Sequence, residues 1–224
     1  QNLEKSVQTQ KREQKQLETL QQDLQQKKNA NWNDQKKIEN FIKRQEQYKE
    51  MMQRQTDKLQ ENLDEKKEQN QSLQDKKEAL KERIQELKNS EKQQKLLDEI
   101  QKMAEKLNKE DLVEKAKELA QQNKQQQRSL EKTLELVKRF YVEQKTMQIA
   151  SKVEELSKKQ EAVAKDSTNA NSKQKEIKKE FQEIEKELEE VKKDNEKFSY
   201  CSFFVLGRVL VVIVSAFYNL YFIF

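Results

Sequence analysis

The 224-residue chain has no histidine, no proline, one glycine (Gly207) and one cysteine (Cys201). With so few turn-forming residues, tight turns and β-hairpins are hard to make, and long helices are favoured. A lone cysteine excludes an intrachain disulfide and a zinc site of paired cysteines. The missing histidine removes the Ser-His and Cys-His nucleophilic pairs, and one glycine is too few for a phosphate-binding loop. We therefore expect no enzyme activity, no cofactor, no metal and no small-molecule ligand.

The residues that are abundant favour helices with narrow apolar stripes. Charged residues make up 39% of the chain and hydrophobic residues 33%. That is too little apolar surface for a thick core but enough for a seam between helices. The 46 basic and 41 acidic residues leave a net charge of only +5. Because basic and acidic residues alternate instead of clustering on one face, we expect no nucleic acid partner.

Apolar residues recur at three- and four-residue steps, the spacing of a coiled-coil seam. Polar interruptions at 29–34, 108–111 and 166–172 divide the pattern. The predicted fold is all-α, with amphipathic helices that form coiled coils or helical hairpins. The predicted elements are a polar helix at 1–28, a long coiled-coil helix at 35–107, coiled-coil helices at 112–165 and 173–198, and an apolar tail at 199–224.

Local signals predict how these helices begin and turn. Asn33 or Asp34 is expected to cap the second helix, and Asp111 followed by Glu114 resembles a capping box for the third. Trp32, beside a helix start, is expected to pack as a staple. A short polar loop between two amphipathic helices predicts an antiparallel hairpin of 145–165 with 173–193.

The predicted interaction residues are those on the seams, where knobs enter holes on a neighbouring helix. They are Ile38, Phe41, Tyr48, Met52, Leu59, Leu73, Leu80, Leu87, Leu130, Val137, Ile177, Phe181, Ile184, Leu188 and Val191.

The tail from Ser199 is different in kind, with Arg208 as its only charge. It is long enough for the ~20 apolar residues that span a bilayer. Three interpretations are open: a membrane anchor, a buried core helix, or the product of a frameshift. If the tail is a membrane anchor, the predicted anchor residues are Phe203, Leu206, Val209, Val212, Ile213 and Phe217.

Three stretches resemble a known family: NWNDQKKIENFIKRQEQYKEMM (31–52), KLLDEIQKMAEKLNKEDLVEKAKEL (95–119) and SLEKTLELVKRFYVEQK (129–145). They are similar to a bacterial envelope family catalogued as domain of unknown function 4175. The resemblance implies transmembrane helices near the N-terminus followed by a Lys/Glu/Gln-rich helical body, and no catalytic residues. This chain lacks the N-terminal membrane region, so we expect a fragment of the helical body, with the body soluble and the protein associated with the inner membrane.

Three functions fit these observations. The first is a structural coiled-coil protein of the bacterial envelope that associates with itself or with partner helices. The second is a tail-anchored tether or adaptor that binds a partner protein through its body. The third is a fragment of the arm of a larger coiled-coil ATPase, whose phosphate-binding heads would lie elsewhere.

Overall fold

The computed structural model describes residues 2–65, 70–88, 91–165 and 170–197. These residues are all-α, which confirms the predicted fold class. No helix among them is both long and apolar enough to cross a bilayer. The predicted tail and its six anchor residues lie outside the described residues. The helices are α1 (Asn2–Gln26), α2 (Trp32–Glu65), α3 (Gln71–Lys88), α4 (Glu91–Glu105), α5 (Lys109–Lys165) and α6 (Ala170–Lys197).

The range 35–107, predicted as one helix, contains three. α2 ends at Glu65, and α3 runs back along it, because Lys81 pairs with Asp64 at 2.6 Å and Lys88 with Asp57 at 2.7 Å. Asn70 caps the start of α3, its side-chain oxygen accepting the Leu73 amide at 3.3 Å. This antiparallel contact and the asparagine cap favour two helices over the single helix that the apolar spacing predicts.

Asparagine caps start α2 and α5, each two or three residues earlier than the sequence suggests. The Asp34 amide donates to Asn31 Oδ1, and the Asn31 amide donates to Asp34 Oδ2, both at 3.1 Å. At α5, the Asp111 amide donates to Asn108 Oδ1 at 3.4 Å. Predictions of Asn33, Asp34 or Asp111 as the capping residue are therefore wrong: asparagine is the cap of both helices, and at α2 the Asp34 side chain completes a capping box.

The Asp34 side chain is only 1% exposed. Burial alone would raise the pKa of its carboxyl. The hydrogen bonds from Lys27 and the Asn31 amide, with the charges of Lys27 and Lys37, outweigh burial and hold the pKa below its ordinary value of 3.8. Because the pKa is lower in the folded protein than in the unfolded chain, the ionised carboxylate stabilises the fold at pH values above the ordinary pKa. We expect this contribution to disappear as the pH falls through the lowered pKa. In Asp34→Asn, the free energy of unfolding should therefore depend less steeply on pH in the acid range.

Leu107 ends α4 in the left-handed conformation, with φ of 51°. The Leu107 amide donates to the Ala104 carbonyl at 3.1 Å and the Asn108 amide to the Met103 carbonyl at 3.2 Å. These two bonds form a Schellman motif, in which the left-handed position favours glycine.

Leu107→Gly is expected to raise the free energy of unfolding. The left-handed conformation costs a leucine about 1–2 kcal/mol, and the extra backbone entropy of glycine offsets about 0.5–1 kcal/mol of the gain. Urea unfolding followed by circular dichroism should show a net gain of about 0.5–1 kcal/mol. The matched control, Lys106→Gly, places glycine where φ is not positive and should lower stability instead. A loss in both variants would contradict the motif.

The described chain forms two compact units, an N-terminal unit that ends at Val137 and a C-terminal unit that begins at Lys138, with α5 contributing to both. In the N-terminal unit α1, α2, α3 with α4, and α5 alternate in direction. Asp23 pairs with Lys37 at 3.1 Å, so α1 and α2 are antiparallel neighbours near their shared loop. Glu99 pairs with Lys115 at 3.2 Å across α4 and α5. The result is an up-down-up-down bundle whose third leg is two consecutive helices.

The C-terminal unit is an antiparallel pair formed by α5 and α6. Lys152 pairs with Glu187 at 2.6 Å, and Lys159 pairs with Glu180 at 2.7 Å. A seven-residue step forward on α5 matches a seven-residue step back on α6, which is the register of an antiparallel coiled coil. The predicted hairpin ranges 145–165 and 173–193 lie within these helices. The core comprises Val142, Ile149, Val153, Leu156, Ile177, Ile184 and Val191, with Val163, Phe181 and Leu188 partly buried against it.

Candidate functional site

Two apolar clusters of the N-terminal unit lie on either side of a band of polar side chains. The first cluster, beside the loops at 27–31 and 106–108, comprises Leu17, Leu24, Ile38, Phe41, Ile42, Leu97, Ile100, Ala104, Leu112, Ala116, Leu119 and Ala120. The second comprises Leu3, Val7, Leu87 and Leu130, with Met52, Leu59, Leu134 and Val137 packed against it. We call the band between them the polar layer; its centre comprises Gln10, Tyr48, Gln93, Asn123 and Gln126.

The centre of the polar layer joins four helices through side-chain amides. The Tyr48 hydroxyl donates to Gln10 Oε1 at 3.1 Å. Gln10 Nε2 donates to Gln126 Oε1 at 3.2 Å and to the Asn123 carbonyl at 3.4 Å. Gln93 Nε2 donates to Asn123 Oδ1 at 2.9 Å. One residue from each of α1, α2 and α4 and two from α5 therefore form a continuous hydrogen-bonded chain.

Further polar contacts flank this centre on both sides. Toward the first cluster, the buried Glu13 carboxylate accepts from Gln45 Nε2 at 3.3 Å and from Arg44 Nε at 3.4 Å. Toward the second cluster, the Ser6 hydroxyl donates to Gln55. Both contacts join α1 to α2, so the polar layer extends along about two turns of that interface.

Burial of these groups is nearly complete and has a cost. Gln10 is 3% exposed, Tyr48 6%, Gln93 7% and Asn123 2%. Burial also raises the pKa of Tyr48 above its ordinary value, so the phenol remains a neutral donor. An apolar layer of the same volume would be equally or more stable, because polar groups lose their hydration on burial. Such a layer aligns helices: any shift of one helix by a turn leaves donors and acceptors unpaired.

A small cavity of about 70 Å³ opens into the polar layer. Its walls combine polar groups of Tyr48, Thr56 and Gln126 with apolar groups of Met52 and Leu87. A site for a drug-sized ligand or cofactor needs roughly 300–1,000 Å³. The volume is enough for a few water molecules, which need only ~10–15 Å³ each and polar partners.

Tyr48→Phe is expected to lower the free energy of unfolding by about 1–2 kcal/mol, because the buried Gln10 carbonyl loses its donor. Tyr141→Phe is the matched control, since Tyr141 is 42% exposed, and it should be neutral. In a double-mutant cycle with Gln10→Ala, the second change should cost less than it does alone. Equal losses in both tyrosine variants, or strict additivity in the cycle, would contradict the hydrogen-bonded layer.

A larger groove of about 850 Å³ lies open on the surface near α2, α3 and α4. Its walls are lysine, glutamate and glutamine side chains: Lys49, Glu82, Gln85, Glu86, Lys88, Glu91, Gln94 and Lys95. Ligand sites are usually concave and mostly apolar, with few polar groups. This groove has the opposite composition and is a solvated face of the bundle.

Each predicted seam residue lies in or against a core of the described chain. Ile38, Phe41, Tyr48, Leu73, Leu80, Leu87, Leu130, Ile177, Ile184 and Val191 are buried, and Met52, Leu59, Val137, Phe181 and Leu188 are partly buried. The seam residues that belong to the clusters described above pack against side chains from other helices of the same chain. Trp32 differs from its prediction: it is 67% exposed and packs on no core.

Gln10, Gln93 and Asn123 are not among the predicted interaction residues, although the sequence carries a signal for two of them. Gln10 stands in the series Leu3, Gln10, Leu17 and Leu24, each seven residues from the next. Asn123 likewise follows Ala116 and precedes Leu130 at seven-residue steps. A polar residue at a seam position predicts a buried polar contact, and searching for such positions would have found both.

Comparison of the chain with protein-family models, curated proteins and solved structures finds no match. The similarity to domain of unknown function 4175 therefore stays a prediction.

Proposed function

We propose that this chain is a non-enzymatic structural protein of the bacterial cell envelope that acts through helix–helix association. The observation that carries the proposal is the enclosure of its seams: apolar stripes from successive helices face each other, and the polar layer aligns four legs of one bundle. Charged side chains lie outside, where they keep the surface hydrated. Such a bundle suits a protein that holds a fixed spacing between attached partners.

Because the seams are enclosed, they limit how the chain can associate with another copy. A second copy has no access to side chains such as Ile38 or Ile184 while they are packed against their own chain. A partner helix must therefore use the outer faces, or exchange places with a helix of the bundle.

Zero-length carbodiimide coupling tests this arrangement, because it joins a lysine directly to a carboxylate in contact with it. In an equal mixture of ¹⁵N-labelled and unlabelled chains, Lys152–Glu187 and Lys159–Glu180 links are expected within single chains. The Lys158–Glu154 pair, 2.8 Å apart within one helix, is the internal control. Mixed-isotope links above that control would indicate helix exchange between copies. Absence of both cross-helix links, with the control present, would contradict the helical pair and the proposal.

A second candidate, the tail-anchored tether, is favoured by the composition of residues 199–224. This segment carries one charge in 26 residues and follows Lys192, Lys193 and Lys197. Positive residues before an apolar span favour a cytoplasmic body. We expect the protein to need detergent for solubility and to lose that need when 199–224 is deleted. Unchanged solubility would remove the tether and leave the structural role.

A further inference from the structure

Two loops meet at one end of the N-terminal unit. The Lys109 ammonium donates to the backbone carbonyl of Lys27, and the Lys27 ammonium pairs with Asp34. These contacts bring the loop between α1 and α2 against the loop between α4 and α5. We call this surface the loop end; it comprises residues 27–37 and 105–111.

The loop end carries two of the four large hydrophobic side chains that are exposed in the described part of the chain: Trp32, 67% exposed, and Leu107, 41% exposed. Trp32 is the first residue of α2 and is held there by the cap at Asn31. Its ring lies 4.9 Å from the Lys36 ammonium, an attraction between a cation and the ring face. A tryptophan held in this way presents an apolar ring and a polar N–H to the surroundings.

The charges around Trp32 are mainly positive. Residues 27–37 contain four lysines and one carboxylate, Asp34, which is buried and paired with Lys27. Lys37 pairs with Asp23 of α1, so Lys28 and Lys36 carry the excess positive charge. The second loop adds two lysines and three carboxylates, so the excess positive charge lies on the tryptophan side. The charged residues of the loop end are Lys27, Lys28, Asp34, Lys36, Lys37, Glu105, Lys106, Lys109, Glu110 and Asp111.

We propose that the loop end is a docking surface for an anionic lipid bilayer, with the Trp32 ring in the headgroup region and the lysines against lipid phosphates. Tryptophan is enriched at membrane interfaces because its ring suits a boundary that is apolar on one side and wet on the other. Lysines near an anionic leaflet are attracted to its surface potential. A second copy is a poorer occupant, because both loop ends would carry an excess of lysines over carboxylates and repel each other. This proposal is independent of the tail and of the proposed structural role.

Trp32 is the only tryptophan in the chain, so fluorescence of the full-length protein reports this site alone, whatever the tail does. With vesicles containing phosphatidylserine we expect a blue shift of emission and quenching by brominated acyl chains. With pure phosphatidylcholine vesicles the response should be much weaker. Raising the salt from 0.1 to 0.5 M should weaken the response to anionic vesicles, since screening shortens the reach of the lysines.

Charge variants test the assignment. Lys28→Gln with Lys36→Gln should lower the partition coefficient measured from Trp32 by about 25-fold, at about five-fold per lysine. Lys58→Gln with Lys92→Gln makes the same charge change at exposed positions outside the loop end and should leave it within about two-fold.

Any of four results would overturn the proposal: no shift with anionic vesicles, an equal shift with neutral ones, equal effects of the two lysine pairs, or a shift without lipid that grows with protein concentration. The last would identify a second copy as the occupant. Equal quenching by a single-stranded oligonucleotide at the same phosphate concentration would also count against lipid, since bases stack on exposed aromatic rings.

Discussion

Ile184→Asp is expected to separate α6 from α5 and to lower the free energy of unfolding of that helix pair by about 3–5 kcal/mol. Ile184 is 6% exposed and belongs to the only apolar cluster found in the described part of the C-terminal unit. A carboxylate there would lie among the apolar side chains of this cluster, so it either leaves the core or is protonated. Hydrogen exchange of the α6 amides measures the loss directly, because backbone amides exchange when the helix detaches.

Gln182→Asp is the matched control for this experiment. It introduces the same charge two residues away, at an exposed position of the same helix. We expect its α6 amides to exchange within about two-fold of the parent, since surface substitutions usually change stability by ~0.5 kcal/mol or less. Equal acceleration in both variants would mean that Ile184 does not hold the two helices together.

Phe41→Ala is the second large effect that we expect, a loss of about 3–5 kcal/mol in the N-terminal unit. Phe41 is 2% exposed and lies in the first apolar cluster, with the Arg44 guanidinium 5.9 Å from the centre of its ring. Truncation removes buried apolar surface and leaves a cavity that the four surrounding legs fill only in part. Urea unfolding followed at the helical circular dichroism band measures the change.

Lys43→Ala, on the exposed side of the same turn, is the control and should change stability by ~0.5 kcal/mol or less. Loss of less than about 1 kcal/mol in Phe41→Ala would show that the first cluster collapses around the gap or is loosely packed.

The sequence predicted the helical class because periodicity depends only on local spacing. The steps at Ile177, Ile184 and Val191 mark a buried stripe whichever helix covers it. The division of 35–107 was not visible in the same way. No glycine or proline marks the end of α2, and it is the contacts of Lys81 with Asp64 and of Lys88 with Asp57 that reveal that α3 folds back. Whether the helix continues past Glu65 or the chain folds back depends on packing against residues that are distant in sequence.

Only part of the polar layer could be predicted from the sequence, for a related reason. Gln10 lies at the seven-residue spacing of its apolar neighbours Leu3 and Leu17, but spacing alone does not say which polar positions meet. Their meeting depends on the lengths of the loops, which set Gln10, Gln93 and Asn123 at one level. Trp32 was misassigned because composition does not distinguish a tryptophan that packs on a core from one held outward by a cap.

The link between Gln10 and Asn123 spans 113 positions of the chain, so it cannot form early in synthesis. A ribosome adding roughly 5–20 residues per second needs on the order of 6–20 s to move from one to the other. By the end of that interval α1 and α2 are outside the exit tunnel with an apolar flank and unpaired amides, the kind of surface that chaperones bind. The fourth leg of the bundle therefore sets how long the nascent protein needs protection.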